Sequence, residues 1–367
     1  PIRAAVSEER LRSYLVNEIA ARYDKAPGQV ISPSGSVTFE AGEPGTALDI
    51  ERSMVLIDSA LRSAFQREVK LSYSRISPAR PSMYNLKVLL ERQIELSEFK
   101  GITEIYLLDL QTRQEMHFAY QNNQEVPPNI AFTAASTIKI PIMVSTFIQN
   151  KEPLPAETTR LIELMIERSE NGPADELMEM LGGNLGPLVV TEHLKEIGFE
   201  NTFLAGYFYF GAPLLERFIT PANSRADINT SPDAYNQTTP LEIGMLLDDI
   251  YQCAEYGGGT LIAAFPGEIT QQECKLMITY LERNKIGVLI QAGVPDGTRV
   301  AHKHGWIIES DGLMHAISDV GIVYTPGGNY VLTIFLYDPV QIYFDPESEL
   351  IAKLSTAIYN YFNYKSD

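Results

Sequence analysis

The spacing of apolar positions changes period several times along the chain, and each change marks an element. Behind Asp49, a residue suited to cap a helix, Ile50, Met54, Ile57, Leu61 and Ala64 recur at helical spacing. Period-two alternation flanks that helix, in SVTFE (36–40) and VKLSY (69–73), and GEPG (42–45) reads as a turn. SPARPS (77–82) breaks the pattern with two prolines and predicts a linker. The expected domains are therefore a small α+β domain over 1–82 and a larger domain over 83–367.

The larger part opens with a helix from about Tyr84 to Leu96, with Leu86, Leu89, Leu90 and Ile94 on one face. TEIYLLDL (103–110) and QEMHFAY (114–120) follow as a hairpin. From Ser136 to about Asn284 helical spacing dominates, in segments 136–149, 156–168, 173–181, 187–197, 239–256 and 269–284. Strand patterns return at 298–308, 314–325 and 329–337, and Asp345-Pro346 caps a last helix carrying Leu350, Leu354, Ile358 and Phe362 in one row. The order predicts an α/β fold of the α+β kind: an antiparallel five-stranded sheet flanked by helices, with an all-helical lobe inserted. The small N-terminal α+β domain is additional to it.

The net charge of −18 over 367 residues disfavours any partner held through phosphates, so no nucleic acid is expected. No apolar run approaches the roughly 18 residues of a membrane helix, and YVLTIFLY (330–337) has strand length. The first residue is Pro1, which suggests a mature form or a fragment. Cys253 and Cys274, the two cysteines, fall in successive helical segments. Two free buried thiols are the expected state, and a disulfide is the alternative that spacing leaves open. The five histidines form no ligand cluster, His302 and His304 lack a third partner, and neither a metal nor another cofactor is expected.

Candidate chemistry begins in FTAASTIKIPIMVS (132–145). Ser136 and Lys139 stand three residues apart on one helical face, so an amine desolvated by its apolar neighbours lies within reach of a hydroxyl. A capping serine with a surface lysine would look the same. Two further segments change the balance. Ser169-Glu170-Asn171 sits in a loop between helices, and Lys303-His304-Gly305 lies on a strand at the border of the sheet, followed by Trp306. There Gly305 would let a substrate backbone approach and Lys303 would offer a cation to a carboxylate.

In that order, S-x-x-K, S-x-N and K-x-G resemble the three motifs of the class A beta-lactamases and penicillin-binding proteins, over about residues 84–367. The TTP at 238–240, leading into a helix, adds to the likeness. The resemblance implies a class A beta-lactamase-like fold with Ser136 as acylated nucleophile, Lys139 as its base and Ser169 as proton relay. It further implies Asn171, His304, Gly305 and Trp306 as substrate-binding, Lys303 as carboxylate anchor, and an oxyanion hole from the N–H groups of Ser136 and Trp306. Glu170 stands where the family has Asp, and His304 where it has a hydroxyl residue. Ser136 and Ser169 are also closer in sequence than in the class A enzymes. The loop ITPANSRADINTSPDAYNQTTP (219–240) holds no glutamate to activate a deacylating water; Asp227 is the candidate substitute, and Glu216 lies just upstream at the wrong spacing.

With FEAGEPGTALD (39–49) and the helix and strand after it, the chain over about residues 1–80 resembles a peptidoglycan-binding domain, which implies a cell-wall partner and an extracytoplasmic location, secreted or surface-anchored. The leading expectation is a monomeric serine hydrolase that opens a beta-lactam or related amide through an acyl-enzyme. A penicillin-binding-like peptidase or esterase acting on cell-wall peptides is the alternative, and a non-catalytic cell-wall binding protein the third reading. GYFYFGAP (206–213) is expected to fill core and rim, and Asp248-Asp249 to lie on a solvated helix face.

Overall fold

A computed structural model describes residues 6–66 and 68–365. The first five and last two residues of the expected domains lie outside it. Chain contacts divide into two compact units, one comprising 6–85 with 364 and 365, the other Leu86–Asn363.

In the first unit α1 (Glu8–Tyr14) runs through a π-helical turn (Leu15–Ala20) into the short α2 (Ala21–Tyr23). β1 (Gly45–Leu48) leads into α3 (Ile50–Arg62), whose N-cap Asp49 accepts a hydrogen bond from the Arg52 N–H at 3.0 Å. The partner of β1 is β2 (Tyr73–Ile76), antiparallel, with Gly45 opposite Ile76. The expected strands are thus displaced. SVTFE forms no strand beyond an isolated bridge from Glu40 to Ile31, and VKLSY contributes only its last residue. GEPG is not a plain turn: a Cβ on Gly45 would collide with the Lys25 carbonyl, so glycine there admits a neighbouring backbone.

α4 (Met83–Leu96) carries Leu86, Leu89, Leu90 and Ile94 buried on one face. The second unit is built on an antiparallel sheet of β3 (Ile102–Asp109), β4 (Glu115–Gln121), β5 (Gln124–Val126), β9 (Arg299–Trp306), β10 (Ala316–Tyr324) and β11 (Tyr330–Tyr337). Its order, β5-β4-β3-β11-β10-β9, keeps the five expected strands and adds β5 at one edge. β9 is the other edge. Residues on strands alternate between faces, which sorts the chemistry. Thr333 donates to the Pro240 carbonyl of α9 (Pro240–Tyr256), whereas Tyr330 stacks on Phe362 of α12 (Phe344–Phe362) on the opposite face. α12 starts at its N-cap Tyr343, so Asp345 lies in the first turn rather than capping it.

Between β5 and β9 lie the helices of the lobe. β6 (Phe132–Thr133), a 3-10 turn (Ala135–Ile138), α5 (Lys139–Gln149), α6 (Ala156–Glu167), α7 (Asn171–Gly182) and α8 (Gly186–Glu196) come first. β7 (Phe203–Leu204) and β8 (Asn236–Thr238) complete a small sheet with β6, and α10 (Thr260–Ala264) and α11 (Gln271–Glu282) follow α9. α5 is buried along nearly its whole length because its apolar face is almost continuous around the helix. Two expectations are corrected here. Cys253 on α9 and Cys274 on α11 form a disulfide, their Cα atoms 5.9 Å apart, because the helices pack side by side with both cysteines inward. Asp248 and Asp249 are buried, and Asp248 takes a two-pronged ion pair from Arg113 at 2.7 and 2.6 Å.

Candidate active site

The 3-10 turn opens on Ala135, which holds φ +48°, a left-handed conformation unusual for a residue with a side chain. That turn projects Ser136 beside the first residue of α5. Thr137 and Ile138 are buried beneath it, and its early N–H groups have no partner within the helix. Ser136 N–H is one of these, as an oxyanion donor must be.

Lys139, fully buried, extends its amine back along the helix to 3.1 Å from Ser136 Oγ. The same Nζ donates to the Ser169 carbonyl at 2.6 Å and to Asn171 Oδ1 at 2.7 Å. Both oxygens can only accept, so a neutral Lys139 keeps two N–H bonds and turns its lone pair to the serine hydroxyl. Burial pushes its pKa down to about 7, against the opposing pull of Asp175 and Glu170. The Phe208 ring, 5.3 Å away, closes its other side.

Ser169 is left-handed as well, at φ +62°, and it links α6 to α7. Its hydroxyl accepts from Lys303 Nζ at 2.8 Å. Lys303, on β9, is fully buried, and burial first and the nearby Lys139 second hold its pKa well below the ordinary lysine range. Five of the expected residues are therefore in one network: Ser136, Lys139, Ser169, Asn171 and Lys303. Lys303 reaches the site from the edge strand β9 and donates to Ser169.

The other expected residues divide. Trp306 lines a cavity of about 340 Å³ together with Ser136 and Asn171. His304 does not line it: its ring stacks 4.3 Å under Trp306, Nδ1 lies 3.4 Å from Asn284 Nδ2, and burial pushes its pKa down to about 2. Gly305 meets the protein's own chain instead of a substrate. A Cβ there would lie 2.9 Å from the Ala134 carbonyl and 3.0 Å from Thr137 Cγ2, so its bareness is what lets β9 abut the Ser136 turn. Asp227 is turned away, its side chain about half exposed and paired with Arg225 at 2.6 Å, while Arg225 also donates to the Pro127 and Pro128 carbonyls. It does not line the cavity. Glu216 does not line it either.

Several lining residues went unread in the sequence. Tyr207, Phe208 and Tyr209 form one wall rather than core, since Asp175 Oδ1 on α7 accepts the Phe208 N–H at 2.7 Å and holds their loop over the cavity. Asp233, Tyr235 and Asn236 form another. The run of aromatics beside Gly206 and Gly211 was the available sign of a loop, because glycines there interrupt any helical face.

The geometry has relatives. PBP-A matches at a TM-score of 0.54 with 21% identity, covering 78% of this chain and 99% of that one. An ancestral class A beta-lactamase, GNCA, matches at 0.51 with 22% identity, covering 73% and 98%. A beta-lactamase from Desulfarculus baarsii matches at 0.55 with 17% identity, covering 78% and 100%. These likenesses show the fold. No curated protein matches this chain. The family model described as the beta-lactamase enzyme family matches residues 149–362, which takes in Ser169, Asn171 and Lys303 and starts after Ser136 and Lys139. By that match over more than half its length, together with the shared architecture, the chain belongs to the beta-lactamase enzyme family, whose members of this fold are serine hydrolases.

Proposed function

We propose that the protein opens a beta-lactam or a related amide by acyl transfer to Ser136, and that the acyl-enzyme is long-lived. The observation that carries this reading is the Lys139 amine 3.1 Å from Ser136 Oγ, with a pKa lowered to about 7. Neutral Lys139 takes the hydroxyl proton as Oγ adds to the carbonyl carbon. Collapse breaks the carbonyl–nitrogen bond. The proton returns to the leaving nitrogen through the Ser169 hydroxyl, which Lys303 holds in place at 2.8 Å. The Ser136 and Trp306 N–H groups serve the oxyanion, and the Asn171 amide N–H, its Oδ1 taken by Lys139, serves a substrate carbonyl. A solved acyl-enzyme of a PBP-A variant with penicillin G, 22% identical, makes a penicillin a reasonable first ligand.

Deacylation favours the second reading, a penicillin-binding-like peptidase or esterase. The 219–240 loop has no glutamate, and Asp227 is held by Arg225, so neither supplies a base for water. The disulfide supports an extracytoplasmic location, where such bonds persist. The first unit, with its likeness to a peptidoglycan-binding domain, would hold the enzyme, as a monomer, on cell wall.

The test is intact-protein mass spectrometry of wild type and Ser136→Ala mixed with a chromogenic cephalosporin, with colour followed in parallel. A single stable adduct, absent from Ser136→Ala, is expected. Sustained turnover would return the first reading, a beta-lactamase. No adduct with cephalosporins or penicillins would remove the lactam proposal.

A further inference from the structure

The cavity is not electrically uniform. Lys139 and Lys303 bring two amines to the nucleophile and Ser169. Among the described residues lining the cavity, Asp233 alone carries a carboxylate. Its Oδ1 accepts the Tyr235 N–H at 2.9 Å and its Oδ2 accepts Asn236 Nδ2 at 3.2 Å. Its own N–H donates to Thr133 Oγ1 at 2.9 Å, which ties it to the strand that runs into the Ser136 turn. No lysine, arginine or histidine pairs with it among the described residues, and burial raises its pKa. Glu309 is the carboxylate that feels its charge, and that neighbour has the same sign.

Asn236 adds an independent sign. It lines the same cavity and is 6% exposed. Its Nδ2 is used by Asp233, and its Oδ1 is buried with no partner. A buried amide oxygen left unpaired costs free energy that a donor would recover. One stretch of wall therefore carries a carboxylate with no cationic partner among the described residues and an amide oxygen with no donor. Tyr209, Tyr235 and Trp306 add the aromatic surface that cations favour.

We infer that Asp233 and Asn236 form a subsite for a cationic group, and that the preferred substrate of Ser136 carries a free amine some distance from the carbonyl attacked. An ammonium supplies three donors to these acceptors. A group without a donor leaves Asn236 Oδ1 unpaired, and a carboxylate opposes Asp233. This rests on the acyl-transfer reading above and adds a substrate class to it.

The experiment uses three penicillins that differ only at the side-chain α carbon: unsubstituted benzyl, α-amino and α-carboxy. The second-order rate of Ser136 acylation is read by intact mass for wild type and Asp233→Asn. In wild type the amine should outpace the neutral compound by on the order of tenfold and the carboxylate should trail it. The amine-to-neutral ratio should fall towards one in Asp233→Asn. Each ratio is taken within one protein, so a loss of folded material cancels. Equal ratios in the two proteins overturn the inference. If no penicillin acylates Ser136, the acyl-transfer reading fails separately. Calorimetry of a lysine-containing peptide ending in D-alanyl-D-alanine, against its Nε-acetyl form, then decides the subsite. Binding that needs the free amine and is lost in Asp233→Asn supports it; equal binding, or none, overturns it.

Discussion

If Lys139 is the base, acylation must follow its neutral fraction. With a pKa of about 7, that fraction climbs from about 9% at pH 6 to about 91% at pH 8, a tenfold rise with a plateau above. An unperturbed lysine would give about a hundredfold rise over the same interval and no plateau below about pH 9. The shape of the profile therefore separates a buried amine from an exposed one without reference to absolute rate. The assay is single-turnover stopped flow with a chromogenic cephalosporin from pH 5.5 to 9.5. Lys139→Arg is the companion variant, since a guanidinium stays protonated, and it should lose about 10²–10⁴ in acylation rate. A hundredfold climb without plateau, or a Lys139→Arg enzyme that keeps its rate, would refute the assignment.

The same displacement has a stability consequence. In the unfolded chain Lys139 binds its proton more tightly than in the fold, so the penalty is full below about pH 7 and disappears as pH rises through the ordinary lysine pKa. Its upper limit is about 5 kcal/mol, reduced by the bonds to Ser169 and Asn171. The stability advantage of Lys139→Met over wild type, from urea unfolding, should therefore be greatest at pH 6 and shrink towards pH 10.

Three further outcomes are expected. Gly305→Ala places a methyl 2.9 Å from the Ala134 carbonyl, so it should displace the Ser136 turn, cut acylation by about 10²-fold and cost about 1–3 kcal/mol in urea unfolding. Asp227→Ala should change acylation and deacylation by less than about twofold in the cephalosporin assay, because its carboxylate serves Arg225 and not the cavity. The double variant Cys253→Ala/Cys274→Ala, which opens a loop of 21-residue separation, should lose about 3 kcal/mol by denaturant unfolding.

What the sequence made legible follows from the range of the interaction. Ser136 and Lys139 are neighbours on one turn, and Ser169 and Asn171 share one loop, so spacing alone brings each pair together. Within the 219–240 loop the sequence reading took Asp227 and passed over Asp233. Which one reaches the cavity is decided by distant partners, Pro127 and Pro128 for the Arg225 fork and Thr133 for Asp233. A local sign existed, since Arg225-x-Asp227 is an opposite-charge pair two residues apart and Asp233 bonds the N–H two residues on, a loop-fixing turn. His304 and Gly305 were placed in the site by the motif they share with Lys303, but His304 faces the opposite side of the strand, and Gly305, on the Lys303 side, is met there by the Ser136 turn. In the first unit glycines that admit a neighbouring backbone were read as turn formers, which displaced the strands.

The strained and buried part of the site also shows what the fold supports. Ala135 and Ser169 hold left-handed backbone, each costing of order 1–3 kcal/mol, and both flank Lys139, whose burial costs more. None of these stabilises the chain, and each places an atom on the Ser136 hydroxyl or its partners. The surrounding apolar packing of α5, α7 and α9 with β9–β11 offsets that cost, since it is continuous through the lobe and sheet. A retired site would have no reason to keep strained backbone and two buried amines within one hydrogen-bond network. Relaxing any one of them, as Lys139→Met should, ought to stabilise the protein in the same experiment that abolishes acylation.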